Sequence, residues 1–180
     1  MGACSATTGM EMNYLLENNF RYSQQIFELA TRRQIPLLYA SSAATYGAGE
    51  QGYCEQHERV KSFLPLNPYG FSKQLFDQWA LQQEETPPLW FGIKFFNVYG
   101  PNEYHKGEMR SLVHKAFGQI NSSGKVKLFK SHRPDYAHGE QLRDFVYVRD
   151  VVRAMIELIA LKEQQASGIV NMGTGRARSF

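Results

Sequence analysis

The sequence has few cysteines, little net charge and no long apolar run, and each absence excludes a class of protein. Its two cysteines, Cys4 and Cys54, show no CxxC spacing, which argues against a metal site or a disulfide framework and favours a reducing cytoplasm. Twenty Lys and Arg against 17 Asp and Glu give a formal charge of +3, too small and too scattered for nucleic-acid binding. The apolar stretches are strand-sized and no signal-peptide pattern is visible, so we expect no membrane segment.

A glycine-rich phosphate-binding turn is also absent. A dinucleotide-binding sheet normally opens with a strand, a G-x-G-x-x-G turn and a helix whose N-terminus holds the pyrophosphate. This chain opens in the middle of such a unit, and Gly173-Thr174-Gly175 lies near the other end and lacks the third glycine. We therefore expect the first cofactor-binding half to lie outside this chain, through an incomplete gene sequence, deliberate shortening, or a protein split between two chains.

Alternating helical and strand-like patterns predict an α/β protein. The predicted helices cover 13–34, 69–83, 107–120 and 150–161. The predicted strands cover 36–40, 89–96, 126–129, 143–148 and 168–172. This alternation is typical of a Rossmann-like doubly wound parallel sheet, here partial, in which ligands bind beyond the carboxyl ends of the strands.

Tyr69 and Lys73 are four residues apart in a predicted helix, so they lie on one face, a turn apart. A neighbouring ammonium favours the phenolate and lowers the pKa of a tyrosine, which lets it take a proton from a sugar alcohol. Such a pair alone is more often an exposed helix face. Ser42, at the end of a predicted strand, supplies a hydroxyl that suits a reacting oxygen beside Tyr69, although a simple strand-ending turn is the other interpretation.

Three motifs occur in the order found in extended short-chain dehydrogenases: YASSAATYG at 39–47, YGFSK at 69–73 and FFNVYGP at 95–101. The chain resembles that family. The resemblance implies that Ser42, Tyr69 and Lys73 form the catalytic set, and that Lys73 also binds the nicotinamide ribose.

The residues after Ser42 narrow the chemistry. Nucleotide-sugar dehydratases of the family carry an acidic pair there, because eliminating water needs an added acid and base, whereas this chain has Ala43 and Ala44. Epimerase or simple redox chemistry is therefore favoured. Further segments resemble heptose 6-epimerase signatures: GACSATT at 2–8, ENN at 17–19, HKG at 105–107, RDFVYV at 143–148 and NMGTGRA at 171–177.

This narrower resemblance implies epimerisation at C6″ of ADP-D-glycero-β-D-manno-heptose to the L-glycero form, for the heptose of the lipopolysaccharide inner core. The C6″ hydrogen is not acidic, so the alcohol is first oxidised to a ketone and then reduced on its other face. Two poses need two acid/base groups, which the resemblance places at Tyr69 and Lys106. Without the surrounding matches, Lys106 would be interpreted as a solvated loop lysine.

The resemblance also implies a cofactor, NADP with NAD as the alternative, and a set of contacts. Those to the cofactor are Gly2, Ala3, Cys4, Ser5, Asn18, Lys73, Val98 and Lys106. Those to the nucleotide-sugar substrate are Ser42, Asn97, Glu108, Lys115, Phe129 and Arg143. The planar fork of Arg143 suits a diphosphate, although pairing with Asp144 or Asp150 is an alternative. Glu108 and Lys115 depart from the family, which usually has a small or uncharged residue and a histidine there.

In this interpretation residues 1–100 belong to the NAD(P)-binding domain, and 101–180 form mainly a small C-terminal substrate-binding subdomain with returning Rossmann elements. A homo-oligomer is expected for the full-length protein. Two alternatives stay open: another epimerase or reductase of the family acting on a UDP- or GDP-sugar, against which HKG at 105–107 argues, and a catalytically silent fragment or interaction module, which the absent glycine-rich turn favours.

Overall fold

A computed structural model describes residue 4 and residues 11–132, 134, 137–161 and 167–179. These residues belong to two compact units. The first unit takes in 1–95 and 154–171, and the second takes in 96–153 and 172–180. The functional division that the sequence predicts at residue 100 stays a prediction.

The sheet of the first unit has three strands in the order β1 (Leu37–Ser42), β2 (Trp90–Phe95) and β5 (Gly168–Met172). Strands β1 and β2 run parallel, in a register that pairs Leu37 with Trp90 and Ser42 with Phe95. Parallel strands place their carboxyl ends at the same edge of the sheet, so Ser42 lies at the edge where such sheets bind ligands.

Helices α1 (Met12–Leu15) and α2 (Tyr22–Arg33) are joined by a π-helical stretch, Leu16–Arg21, and α2 ends where Gln34 turns left-handed. Helix α3 (Pro68–Leu81) begins with Pro at its first position, where a missing N–H costs nothing. The Asn67 side chain caps it by accepting from the Gly70 N–H at 2.7 Å. The start of α3 is thus fixed by local sequence signals.

An aromatic cluster joins these helices to the sheet. Phe27 of α2 meets the rings of Phe76, Trp79 and Trp90 edge-on, at centroid distances of 6.3, 5.5 and 5.4 Å. Edge-to-face pairs of this kind add about 0.5–1.5 kcal/mol each to the free energy gained from burial. This core packs α3 against β1 and β2. It therefore fixes the position of Tyr69 and Lys73 relative to the sheet.

The second unit contains strands β3 (Asn97–Tyr99), β4 (Arg143–Tyr147) and β6 (Ala177–Arg178), with β3 parallel and β6 antiparallel to β4. Helix α4 (Leu112–Ser123) lies in this unit, and α5 (Val148–Ala160) follows β4 directly. The buried Asp144 carboxylate accepts from the backbone N–H groups of Thr174 and Gly175 at 2.8–2.9 Å, which fixes the turn between β5 and β6.

The predicted α/β class with parallel strands is confirmed, and two element predictions are wrong. A single helix over 107–120 does not form: Gly107 takes φ 52°, and α4 starts after Ser111, whose Oγ accepts from the His114 N–H. Residues 126–129 are not a strand. The Lys127 N–H donates to the Gln119 side chain and the Phe129 carbonyl accepts from the Gly139 N–H, so local partners replace a neighbouring strand.

Among the described residues, no helix combines the length and apolar character needed to cross a membrane.

Candidate active site

Ser42 closes β1 and caps a short 3-10 helix, Ala43–Tyr46. Its Oγ accepts from the Ala44 N–H at 3.1 Å, which satisfies one of the free N–H groups at the start of the turn. The Thr45 hydroxyl donates to the Ser42 carbonyl at 2.9 Å. The hydroxyl predicted from the strand-end motif is therefore fixed by both its side chain and its backbone.

Tyr69 and Lys73 lie one turn apart on the buried face of α3, with only 9% and 5% of their surfaces exposed. The Lys73 Nζ lies 5.8 Å from the centre of the Tyr69 ring and donates to the Ala40 carbonyl of β1 at 2.8 Å. The Ser42 side chain lies close enough to the Tyr69 phenol to lower the pKa of that phenol. The structure thus brings together the three residues that the sequence assigns to the catalytic set.

The protonation of this cluster is governed by burial, contrary to the sequence expectation for Tyr69. Burial raises the pKa of the Tyr69 phenol above its ordinary value; the interaction with Ser42 opposes this, and electrostatic interactions with Cys4 and Asp77 add to it. Burial lowers the pKa of Lys73 to about 8, against the opposing charge of Asp77. The Lys73 ammonium is directed at a backbone carbonyl, so its presence does not outweigh the desolvation of the phenol.

A buried ion pair, which the sequence analysis missed, lies behind this cluster. Lys94 of β2 and Asp77 of α3 are both fully buried, and the Lys94 Nζ lies 2.6 Å from the Asp77 Oδ2. Two features of the sequence point to the pair: Asp77 follows Lys73 by four residues on the same helix face, and Lys94 is a charged residue inside an otherwise apolar strand.

Lys106 lies in a 3-10 segment of the second unit, Tyr104–Met109, with 43% of its side chain exposed. The sequence analysis also missed the residue that holds this segment. Glu103 is 4% exposed, and its carboxylate accepts from the Gly100 N–H at 3.2 Å and from both the N–H and the hydroxyl of Ser111 at 2.7 Å. The Lys106 Nζ lies 3.6 Å from the same carboxylate. One buried acid therefore ties together both ends of the segment.

Charge and hydrogen bonds together set the ionisation of Glu103. Burial alone raises the pKa of this carboxyl, but the hydrogen bonds from Ser111 and Gly100 and the charge of Lys106 lower it below its ordinary value. Glu103 is accordingly an anion beside Lys106 near neutral pH.

The two departures from the family pattern are partners of each other. The Lys115 Nζ lies 3.1 Å from the Glu108 Oε2, and the Glu108 side chain is 92% exposed. Glu108, which departs from the family pattern by its charge, is thus paired with Lys115, a cation from α4.

The other predicted substrate residues lie in the second unit as well. Asn97 opens β3, and its Nδ2 donates to the Asp144 carbonyl at 3.2 Å. Phe129 is 58% exposed, and the exposed Arg143 donates through Nη1 to the Leu142 carbonyl at 2.7 Å. Their roles toward a substrate stay predictions.

The cofactor residues are only partly described. Gly2, Ala3 and Ser5 lie outside the described residues, while Cys4 is a free, half-buried thiol and the Asn18 side chain donates to the Tyr14 carbonyl at 2.8 Å. Val98 lies in β3. These six assignments stay predictions.

Lys73 provides a direct check of whether the described residues fit a nicotinamide ribose. Its ammonium has three N–H groups, and within the described part of the chain one of them is used, on the Ala40 carbonyl. The Lys73 Nζ that carries the remaining donors lies 5.8 Å from the centre of the Tyr69 ring. This donor set fits ribose hydroxyls next to a reacting alcohol. No cluster of metal-ligating side chains occurs in the ranges the structure describes.

Comparison with known proteins gives concordant matches. The model of the NAD dependent epimerase/dehydratase family matches residues 3–173. An ADP-L-glycero-D-manno-heptose-6-epimerase from Fusobacterium nucleatum is 50% identical, over 100% of this chain and 54% of that protein. A protein of the same name from Nitratidesulfovibrio vulgaris is 49% identical, over 100% of this chain and 55% of that protein.

A solved structure agrees with these sequence matches. The crystal structure of the Helicobacter pylori ADP-L-glycero-D-manno-heptose-6-epimerase has a TM-score of 0.78 to this chain at 31% identity, over 98% of this chain and 52% of that one. The chain spans about half the length of the curated relatives it matches.

Proposed function

The chain belongs to the NAD-dependent epimerase/dehydratase family, and we propose that the protein interconverts ADP-D-glycero-β-D-manno-heptose and ADP-L-glycero-β-D-manno-heptose at C6″ with NADP as cofactor. One observation carries the proposal: Ser42 and the buried Tyr69 and Lys73 form a cluster in a chain that, over its own full length, is 50% identical to 54% of a heptose 6-epimerase.

The first half of the reaction removes a hydrogen from C6″ and a proton from the C6″ hydroxyl, and the second half returns both on the opposite face. A nicotinamide whose ribose Lys73 would hold would supply the redox chemistry, the removal and return of a hydride at C6″. The protein must move the proton twice and must present the C6″ carbonyl in two orientations.

Tyr69 is the acid/base group for one orientation. Because burial raises the pKa of its phenol, the protonated form dominates at neutral pH and is suited to giving a proton to the carbonyl oxygen. Giving up this proton leaves a phenolate, which the Ser42 hydroxyl and the Lys73 ammonium stabilise. In the reverse step the phenolate takes the proton of the C6″ hydroxyl and becomes the neutral phenol again. Ser42 also polarises the reacting oxygen.

Lys106 is the acid/base group for the other orientation. Glu103, an anion 3.6 Å from its Nζ, holds it in place through the segment that the same carboxylate closes. The exposure of Lys106 is compatible with this role, because it leaves the ammonium accessible to a bound substrate.

Substrate recognition is proposed for residues of the second unit. Asn97 supplies an amide at the start of β3, Arg143 a fork for the diphosphate, and Phe129 an apolar surface. Lys115 offers a phosphate contact while its partner Glu108 limits the excess of positive charge.

Action on a UDP- or GDP-sugar by the same chemistry is the alternative, and the similarity to heptose epimerases does not favour it. Dehydration is disfavoured because Ala43 and Ala44 offer no acid or base. We also propose a cytoplasmic, homo-oligomeric protein; the two free cysteines fit a reducing compartment, and sedimentation measures the oligomeric state.

Product analysis tests the proposal. The purified protein is incubated with ADP-D-glycero-β-D-manno-heptose, UDP-glucose and GDP-mannose in separate reactions, and the nucleotide released on denaturation is identified. We expect epimerisation of the ADP-heptose alone, released NADP, and loss of turnover in a Tyr69→Phe/Lys106→Ala double variant that still folds. A product from a UDP- or GDP-sugar instead would overturn the substrate assignment, and release of NAD would correct the cofactor.

A further inference from the structure

The buried ion pair of Asp77 and Lys94 is larger than a single contact. The Asp77 carboxylate accepts from the Lys94 ammonium at 2.6 Å, from the Ser41 hydroxyl at 2.7 Å and from the Tyr39 hydroxyl at 3.0 Å. Lys94 also donates to the Thr45 hydroxyl at 2.7 Å, and its Nζ lies 5.3 Å from the centre of the Tyr46 ring. The pair therefore joins α3, β1, β2 and the turn after β1.

Each partner of the pair is linked to the proposed catalytic cluster through a hydrogen-bonded neighbour or through one turn of α3. Ser41, which donates to Asp77, precedes Ser42 in β1. Thr45, which accepts from Lys94, donates in turn to the Ser42 carbonyl. Asp77 follows Lys73 by one helical turn and Tyr69 by two, on the same face of α3.

Stability alone does not explain such a pair. Removing two charges from water costs several kcal/mol each, and replacing a buried ion pair by apolar residues of similar volume is often neutral or stabilising. The surrounding core is aromatic and offers the apolar packing that such a replacement needs. A fully buried ion pair supplies two things that an apolar pair cannot, namely charge and directional hydrogen bonds. We therefore expect its role to lie in these two properties.

The charge of Asp77 acts on the cluster. It opposes the effect of burial on Lys73, and it adds to the effect of burial on Tyr69, raising the pKa of both groups. Lys94, in direct contact with Asp77, offsets that negative charge. The titratable and charged groups that face the pair are Tyr39 of β1, Tyr46 of the turn, and Tyr69 and Lys73 of α3, with Cys4 adding to the field at the last two.

We propose that Asp77 and Lys94 are positioning residues of the proposed reaction, which hold Ser42 against α3 and balance the charge behind Tyr69 and Lys73. The inference rests on the proposed function for its catalytic meaning. Its electrostatic part concerns Lys73 itself and is measurable without substrate.

The test uses variants that leave opposite charges. Lys94→Met leaves the carboxylate without its cation, and Asp77→Asn leaves the ammonium without its anion. The titration of Lys73 is followed by NMR of protein carrying carbon-13 at the lysine Cε, with the signal assigned through Lys73→Arg. Lys94→Arg is the matched control that keeps the charge, and Asp77→Asn/Lys94→Met removes both charges.

We expect the Lys73 midpoint to move up in Lys94→Met and down in Asp77→Asn, each on the order of one pH unit for a unit charge about a helical turn away at an effective dielectric of about 20. Lys94→Arg stays near wild type and the double variant lies between the single variants. The pH dependence of kcat moves in the same two directions. Shifts of the same sign, or no shift in either single variant, would overturn the proposal, because a purely structural pair lowers stability in both without opposite titration shifts.

If Lys94→Met does not fold, Lys94→Gln keeps a donor for Thr45 and Asp77, and the same upward shift of the Lys73 midpoint is expected.

Failure of this inference and failure of the proposed function are distinguishable. If the Lys73 midpoints move oppositely but the wild type does not epimerise the ADP-heptose, the charge balance stands and the proposed function fails. If the wild type turns over and the midpoints do not move, the function stands and this inference fails.

Discussion

Two lysines of the proposed reaction, Lys73 and Lys106, have opposite surroundings. Lys73 is 5% exposed and lies one helical turn from Asp77 of a fully buried ion pair, whereas 43% of the Lys106 side chain is exposed and the carboxylate of Glu103 anchors its segment. The difference shows that burial within the protein can change the pKa of a side chain such as Lys73. An exposed side chain such as that of Lys106 is positioned by its backbone segment, and a bound ligand completes its environment. Mutations should therefore act differently in the two regions.

The largest difference is expected in catalysis. Tyr69→Phe removes only the phenol oxygen from a buried position, so we expect kcat to fall about 10²–10⁴-fold, the usual contribution of a general acid/base, with little change in melting temperature. Lys106→Met removes the exposed partner, and we expect a fall of about 10²-fold because solvent can replace an exposed acid more easily. Steady-state epimerisation assays measure both. A Tyr69→Phe protein with wild-type kcat would remove the phenol from the mechanism.

The next difference is in stability. Lys94→Met breaks a pair of two fully buried charges, which costs about 3–5 kcal/mol when one partner is left alone. Lys115→Met breaks an exposed pair and is expected to cost less than about 1 kcal/mol. Urea unfolding of the two variants side by side gives the comparison. Equal losses would mean that the burial contrast does not govern the energetics.

A smaller effect tests the anchor of Lys106. Glu103→Gln cannot accept from Gly100 and Ser111 as a carboxylate does, and we expect a loss of about 1–3 kcal/mol above the ordinary pKa of a glutamate. Because the folded-state pKa of Glu103 is lowered, its stabilisation is present above the unfolded-state pKa and is lost as pH falls through the folded-state value. The wild type and variant should therefore converge in acid. A difference that persists at low pH would assign the loss to packing.

The smallest effect is expected for the Glu108–Lys115 pair. A double-mutant cycle with Glu108→Gln and Lys115→Met should give a coupling of about 0–1 kcal/mol that falls with added salt. Its role would then concern the charge near the substrate. A coupling energy above that range that does not change with salt would mean that this pair behaves like the buried Asp77–Lys94 pair.

Much of the cluster on α3 was predictable because its signals are local. The cap at Asn67, the spacing of Tyr69 and Lys73 and the strand end at Ser42 are all visible within short segments of sequence. Asp77 and Lys94 were not found, since their pairing depends on how α3 packs on β2. Burial likewise reversed the direction expected for the pKa of Tyr69, because desolvation is a property of the packed core.

The region around Lys106 was harder to predict for a different reason. The apolar pattern over 107–120 suggests a helix, but Gly107 turns left-handed and the segment is closed by Glu103, four residues away on the other side. Likewise, residues 126–129 have the composition of a strand but find their partners in side chains and a turn. The periodicity of apolar residues does not show which backbone N–H and C=O groups find a hydrogen-bond partner.

The most direct test of the central claim is epimerisation in D₂O, with the product analysed by NMR. The account predicts that ADP-D-glycero-β-D-manno-heptose is converted to the L-glycero form without deuterium on C6″, because the hydrogen removed from carbon is the one that is returned. Absence of conversion, or deuterium on C6″ of the product, would contradict it.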